Sequence, residues 1–257
     1  MTSPNVLPII LWSWGDKFSD DYIRIMKNML GRNLHIPYRI VVISDSKKTR
    51  ERFKAEGDQV VPLWNDLADQ GGKCLVRLKC FDNSFRNIIP EPRWSWFDLD
   101  MVLVDDCSPI FGRTEPFLMS GVELGPQPVN GSIVIADHGV APEVFTEFDR
   151  NLWQNNVKGR GLRYGGSDQA WLAIKANHKI TKITREDGLY CYRDDICPRN
   201  LWHYASWRQR NLVDQLKHEP TGGPIPKGAR MIQCNGPHSP WKPERQAISP
   251  WLREHWR

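Results

Sequence analysis

No stretch of this 257-residue chain comes near the ~20 consecutive apolar residues that a membrane span requires. The N-terminal MTSPNVLPIILWSWG has no basic region, and its apolar patch is interrupted by Pro8 and ends in Trp and Gly. It reads as a first strand and not as a secretion signal. The cysteines, at 74, 80, 107, 191, 197 and 234, form no CxxC pair. That pattern argues against a zinc knuckle, and together with the missing signal against a disulfide scaffold. It fits free thiols in a reducing compartment, with a cytoplasmic location expected, or the host cytoplasm for a virus-encoded protein. A net charge of +5 is too small to announce a nucleic-acid partner. Internal repeats and low-complexity linkers are missing as well, so one domain over residues 1–257 is expected.

What is present is ordinary for a folded protein, with 40% hydrophobic and 25% charged residues. VLPIILWSW (6–14) reads as a buried strand. Ser19 stands where a helix cap would, Asp20 and Asp21 suit a first turn, and Tyr22, Ile25, Met26, Met29 and Leu30 keep helical spacing. YRIVVISD (38–45) reads as a second buried strand, KKTRERFKAEG as a polar helix closed by Gly57, and QVVPLW as a third strand. This alternation predicts a parallel α/β sheet with ligand loops at the C-terminal ends of its strands. Further on, residues 71–85 predict a helix, WSWFDLDMVLV a strand, NGSIVIAD (130–137) another strand, and PEVFTEFDRNLWQNN and SDQAWLAIKAN two more helices. After about residue 185 the pattern fades into segments rich in Pro, Gly and Trp.

WSWFDLDMVLVDD poses the chemical question. Asp98 and Asp100 interrupt an apolar run, and a carboxylate there is costly unless it is paired, hydrogen-bonded or holding a metal. Residues i and i+2 of a strand share a face, so both carboxylates could contact one hard divalent cation such as Mn²⁺ or Mg²⁺, which prefers oxygen ligands. The plainer reading is a chance D-x-D in an acidic turn. The tail from Arg199 onward mixes basic residues with Trp, a combination that grips phosphates and stacks on bases or sugar rings, or that simply solvates and packs a surface.

The order of these elements resembles GT-A-type nucleotide-sugar glycosyltransferases, especially the glycogenin-like and bacterial galactosyl- or glucosyltransferase-like group. FDLDMVLVDDCSPIF (97–111) is similar almost position by position to that group's acidic strand, and the likeness extends over roughly residues 6–185. It implies a single Rossmann-like domain with a mostly parallel central sheet. Residues 1–185 would form the nucleotide-sugar-binding α/β part, and residues 186–257 an irregular acceptor-side part.

The resemblance also implies roles. Asp98 and Asp100 look like the pair that binds the divalent metal. Ser44 and Asp45 look like contacts to the nucleoside base, and Trp14 and Gly15 belong to the loop near the nucleotide. Lys73, Arg77 and Lys79 lie where the group places a basic residue near the donor; spacing favours Lys73 with Arg77. Asn130 and Ser132 match the strand flanking the donor sugar, and Asp168 and Gln169 the segment near its reactive carbon.

IQCNGPHSPWKP (232–243) departs from the group's late His–Gly–Lys–Pro–Trp-like element. Gln233 or Asn235 stands where the His would be and Ser239 where the Lys would be, leaving His238 and Lys242 as shifted candidates for the third metal ligand and the phosphate-binding cation.

Together these readings predict a metal-dependent enzyme that moves a sugar from a nucleotide-sugar, expected to be UDP-linked, to an acceptor hydroxyl of a glycan. One alternative is the same chemistry on a hydroxymethylated base in DNA, which would demand base flipping. Another is a non-catalytic nucleic-acid or carbohydrate-binding module, which would have little use for buried carboxylates.

Overall fold

A computed structural model describes residues 6–64, 73–122, 128–159, 168–196, 223–234 and 239–257. β1 (Leu7–Ser13), α1 (Asp20–Asn33), β2 (Tyr38–Ser44), α2 (Lys47–Ala55) and β3 (Gln59–Pro62) follow one another as the sequence predicts. Along β1, Ile9 and Leu11 enter one hydrophobic cluster while Ile10 and Trp12 enter another on the opposite face. A strand buried on both faces needs an unbroken apolar run, and IILW supplies it. α1 covers the first face with Ile23, Met26, Met29 and Leu30. Ser19 precedes α1 but its side chain makes no capping hydrogen bond. Asp20 instead ties α1 to α2, accepting from Thr49 Oγ1 at 2.8 Å and pairing with Arg52 at 3.0 Å. Gly57 closes α2 at φ 90°, a left-handed conformation that favours glycine.

β4 (Arg93–Phe97), β6 (Phe117–Ser120), β7 (Asn130–Asp137) and β8 (Thr181–Ile183) complete a seven-stranded sheet in the order β3-β2-β1-β4-β7-β6-β8. β7 runs antiparallel to both of its neighbours and the other pairings are parallel. The chain winds outward from β1 through β2 to β3, then returns to place β4 on the other side of β1. The crevice above β1 and β4 is therefore a topological switch point, where open α/β sheets bind ligands.

A second sheet joins β5 (Met101–Leu103), β10 (Met231–Gln233) and β9 (Leu189–Cys191), with β10 central. It packs into the cluster on the α1 face, together with Trp251, Leu252 and Trp256 from the C-terminal helices. Beyond residue 185 the regular elements among the described residues are thus short: β9, a single π-helical turn (Tyr192–Ile196), β10 and two helices, Pro243–Ile248 and Trp251–His255.

Three expectations need correction. WSWFDLDMVLV is not one strand: β4 stops at Phe97, Met101 N–H donates to Asp98 O across a turn at 3.1 Å, and β5 starts in the other sheet. The same-face argument for Asp98 and Asp100 therefore does not apply, because the pair sits in the turn that transfers the chain between sheets. Residues 71–85 are not one α-helix either. Lys73–Phe81 and Asn83–Asn87 wind as 3-10 helices separated by Asp82, whose side chain caps the second through Ser84 N–H at 3.1 Å. PEVFTEFDRNLWQNN likewise divides, into helical segments Glu143–Thr146 and Arg150–Gly159.

Candidate functional site

The ends of β1, β2 and β4 bring Trp14 and Gly15, Ser44 and Asp45, and Asp98 and Asp100 to one edge of the sheet. β7 runs the other way, so its first residues, Asn130 to Ser132, lie at that same edge, where Asp98 N–H donates to Ser132 O at 2.8 Å. The helix Asp168–Ala176 presents its N-terminus there as well: Gly131 N–H donates to Gln169 Oε1 at 3.0 Å. The nucleotide loop is tied to the β2 end through Gly15, which, at φ 60°, donates its N–H to Asp45 Oδ2 at 3.0 Å.

Arg77 is the hub. Its guanidinium is buried, with Nη2 2.6 Å from Asp98 Oδ1 and Nη1 3.7 Å from Asp168 Oδ2. It lies 5.2 Å from the Trp14 ring centre and 5.7 Å from that of Trp96. Nη1 also donates to Gly131 O at 3.4 Å, an oxygen that accepts from Trp96 Nε1 at 2.9 Å. Burial alone would work against the cation, but Asp98 and Asp168 outweigh it and hold Arg77 protonated more firmly than an ordinary guanidinium. The two indole faces add cation–π attraction in a desolvated setting. The 3-10 winding explains how Arg77 reaches this place. Residues three apart eclipse one another in such a helix, so Cys74 and Cys80 share the face of Arg77. An α-helix would have aligned Lys73 with it instead; the side chain of Lys73 lies outside the described residues. Burial, with Asp168 and Asp98 adding, pushes the Cys74 thiol up to about 11.

The carboxylates are in tension. Burial and the neighbouring charge of Asp98 push Asp100 up to about 7, while Lys17 Nζ, 3.8 Å away, pulls against them. Burial pushes Asp168 up to about 6, opposed by Arg77. Asp98 Oδ1 and Asp168 Oδ2 are buried without a well-directed hydrogen bond, so their contacts with Arg77 are ion pairs rather than aligned N–H···O bonds. A carboxylate pair in which the charge of Asp98 raises Asp100 suits a hard divalent cation, which would neutralise both. Asp98 and Asp100 thus fit the expected Mn²⁺ or Mg²⁺. Among the described residues no group of three His, Cys, Asp or Glu gathers as a metal-binding set, and the third candidate, His238, lies outside them.

The remaining candidates divide. Ser44 is fully buried, and its Oγ accepts from Ser46 N–H at 3.1 Å, so its hydroxyl already serves the chain. Asn130 Oδ1 accepts from Ser132 N–H at 2.7 Å and from Ser132 Oγ at 2.5 Å, making one buried polar unit of the two. Lys242 precedes the helix Pro243–Ile248, beside Trp241. The indole of Trp241 packs edge-on against Tyr22 (4.7 Å) and Phe18 (5.6 Å), next to the Lys17 that faces Asp100. Trp251 and Trp256 are buried in the core and are not a platform for an acceptor. Trp202, His203, Trp207, Arg208, Arg210 and Lys217, on which the nucleic-acid alternative rests, lie outside the described residues.

Sequence reasoning missed Lys17, Trp96 and Cys74. Lys17 was within sight, lying four residues past the end of the first strand. The other two become visible only through the register of β4 and the 3-10 winding.

No protein-family profile matches the chain, and no curated protein matches it in sequence. Solved structures do match. Galactosyltransferase LgtC, in complex with donor and acceptor sugar analogs, aligns over 94% of this chain and 91% of its own, at 12% identity and a TM-score of 0.54. Mouse xyloside xylosyltransferase 1 aligns over 91% of this chain and 98% of its own, at 10% identity and 0.53. The glycosyltransferase GlyE of Streptococcus pneumoniae TIGR4 aligns over 93% of this chain at 11% identity and 0.54, and the chain spans 56% of the GlyE length. No helix among the described residues is long and apolar enough to cross a membrane. The chain has the fold of the GT-A-type glycosyltransferases.

Proposed function

We propose that the protein is a metal-dependent glycosyltransferase that moves a sugar from a nucleotide-sugar, UDP-linked by preference, to an acceptor hydroxyl of a glycan. The observation that carries this reading is the Asp98–Asp100 turn at the switch point, where one carboxyl is pushed up to about 7 by burial and by its neighbour. Such a pair is unfavourable in the free protein and becomes useful when a cation joins it. That cation would supply Lewis-acid stabilisation of the departing diphosphate.

The chain's own residues would do the rest. Asp98 and Asp100 would hold the metal, with His238 a candidate third ligand. Arg77 fixes Asp98 and brings Asp168 within reach of it, and so sets the geometry between the diphosphate end and the sugar end of the site. Lys17 and Lys242 would add positive charge near the phosphates, with Lys73 a further candidate. Asp45 and the backbone at Ser44 would read the imide edge of uracil, while Trp14 and Gly15 would border the nucleotide. Asn130 and Ser132 would flank the transferred sugar, and Asp168 and Gln169 would lie near its reactive carbon. The step replaces the bond from that carbon to a diphosphate oxygen by one to the acceptor oxygen, and it releases the nucleoside diphosphate and a proton. Residues 186–257 would form the acceptor side, opposite the nucleotide.

Thermal unfolding with UDP, GDP, dTDP and their sugars, with and without Mn²⁺, tests the reading. A ligand at 100 times its dissociation constant should add about 2.7 kcal/mol of stability. Stabilisation by a UDP-sugar that needs Mn²⁺ is the expected result. No response to any of these ligands would overturn the donor assignment.

A further inference from the structure

Gln233 ends β10 and is fully buried. Its Oε1 accepts from Ser120 Oγ at 2.6 Å, a separation usual for O–H···O and short for N–H···O, so the oxygen of the amide is the atom turned toward Ser120. Nε2 then carries two hydrogens, and among the described residues it has no hydrogen-bond partner. A buried donor in that state is costly, and such groups call for an explanation.

Its surroundings supply one. Gln233 pairs with Met101, the residue that follows the Asp98–Asp100 turn, and the next residue, Cys234, has its thiol pushed up by burial and by the charge of Asp100. Ser120, which holds the other end of the amide, stands opposite Asn130 at the head of β7. The carboxamide thus lies between the acidic turn and the neutral, buried Asn130–Ser132 unit. The carboxamide atom able to ligate a metal, Oε1, is turned to Ser120, and the free end is an NH₂ group, which cannot take a histidine ligand's place. A diphosphate needs charge, and the guanidinium of Arg77 is already taken up by Asp98 and Asp168. Neutral hydrogen-bonding groups suit a neutral polyhydroxylated ring.

We propose that Gln233 is a specificity-determining residue of the donor site, its Nε2 donating to a hydroxyl oxygen of the transferred sugar. This rests on the nucleotide-sugar reading above. Calorimetry with Mn²⁺ compares wild type and Gln233→Met for UDP, UDP-glucose and UDP-galactose. The variant should bind at least one of the UDP-hexoses about 3- to 10-fold more weakly than wild type and bind UDP equally well. Equal weakening for UDP would move the contact to a diphosphate oxygen and overturn the sugar assignment, as would unchanged affinity for both hexoses. If wild type itself binds none of the three, the donor reading has failed and this assignment fails with it.

A ligand-free arm stands apart from that outcome. Ser120→Ala with Gln233→Met removes both hydrogen-bonding partners and the orphaned donor together, so the unfolding midpoint should hold or rise. A fall of more than about 4 °C would show the amide satisfied within the free protein and overturn the proposal.

Discussion

Asp168→Asn should make the protein more stable while removing its activity. The carboxyl is buried, and its pKa is raised from 3.8 to about 6 by that burial. Well below pH 3.8 it is neutral in both the folded and the unfolded chain and contributes nothing. As the pH rises from about 4 to 6 the unfolded chain releases this proton first, so stability falls through that window, and above it the full cost applies. The gap between 3.8 and about 6, at about 1.4 kcal/mol for each pH unit, amounts to about 3 kcal/mol. Asparagine carries no such cost. Its oxygen can still accept from Gln169 N–H, as Asp168 Oδ1 does at 2.9 Å, and Arg77 loses a contact of 3.7 Å while keeping that of 2.6 Å with Asp98. Urea unfolding should therefore show the variant about 1 kcal/mol more stable at pH 4.5 and about 3 kcal/mol more stable at pH 8, with similar m-values. A variant less stable than wild type at pH 8, or a difference that does not grow with pH, would refute the reasoning. It would mean that the ion pair with Arg77, and not desolvation, decides the state of Asp168. Stability gained at the expense of turnover is the usual mark of a functional carboxyl.

Asp98→Asn and Asp100→Asn should each abolish Mn²⁺-dependent hydrolysis of a nucleotide-sugar, and Asp100→Asn should raise the unfolding midpoint of the metal-free protein at pH 8. Full activity of both variants in metal-depleted buffer would sink the metal reading. Arg77→Met should destabilise by about 3–5 kcal/mol, because it leaves the buried Asp168 and the half-buried Asp98 without their cation; denaturant unfolding at pH 8 reads it, and a loss below about 1 kcal/mol would show the hub to be dispensable. UDP should bind more tightly than GDP by calorimetry, and the reverse order would overturn the base assignment. Leu252→Ala should cost about 2–5 kcal/mol, since Leu252 is fully buried beneath the first face of the sheet, and a near-neutral result would show that the C-terminal helix is not part of the core.

The parts of this fold that could be read in advance are those whose signals are local. IILW with its flanking turn, YRIVVI before Ser44–Asp45, the helix closed by Gly57 and NGSIVIAD each declare themselves through periodicity or turn chemistry, and all four stand where expected. The acidic turn was legible as chemistry but not as geometry. Apolar residues on both sides of Asp98 and Asp100 look alike in one dimension, although Trp96 and Phe97 belong to one sheet and Met101 and Val102 to another. The role of Arg77 was hidden for a similar reason, since the difference between 3.0 and 3.6 residues per turn decides which side chain faces Asp98. Gln233 drew notice, alongside Asn235, as standing in place of a histidine, and its orphaned amide emerged only from the hydrogen bond that Ser120 makes to its oxygen.

The placement of β5 bears on how the protein is made. Met101, Val102 and Leu103 find their ladder partners in Gln233, Ile232 and Met231, across roughly 130 residues of intervening chain. During synthesis β1, β2, β3 and β4 can pair as soon as they are available, and Phe97 is then anchored. Asp98 and Asp100 are held on that side alone until the strand at 231–233 arrives. A nascent chain would therefore carry a nearly complete sheet whose acidic turn is anchored on one side only. Arrival of the strand at 231–233 is what anchors the turn on its second side, through Met101 and Gln233.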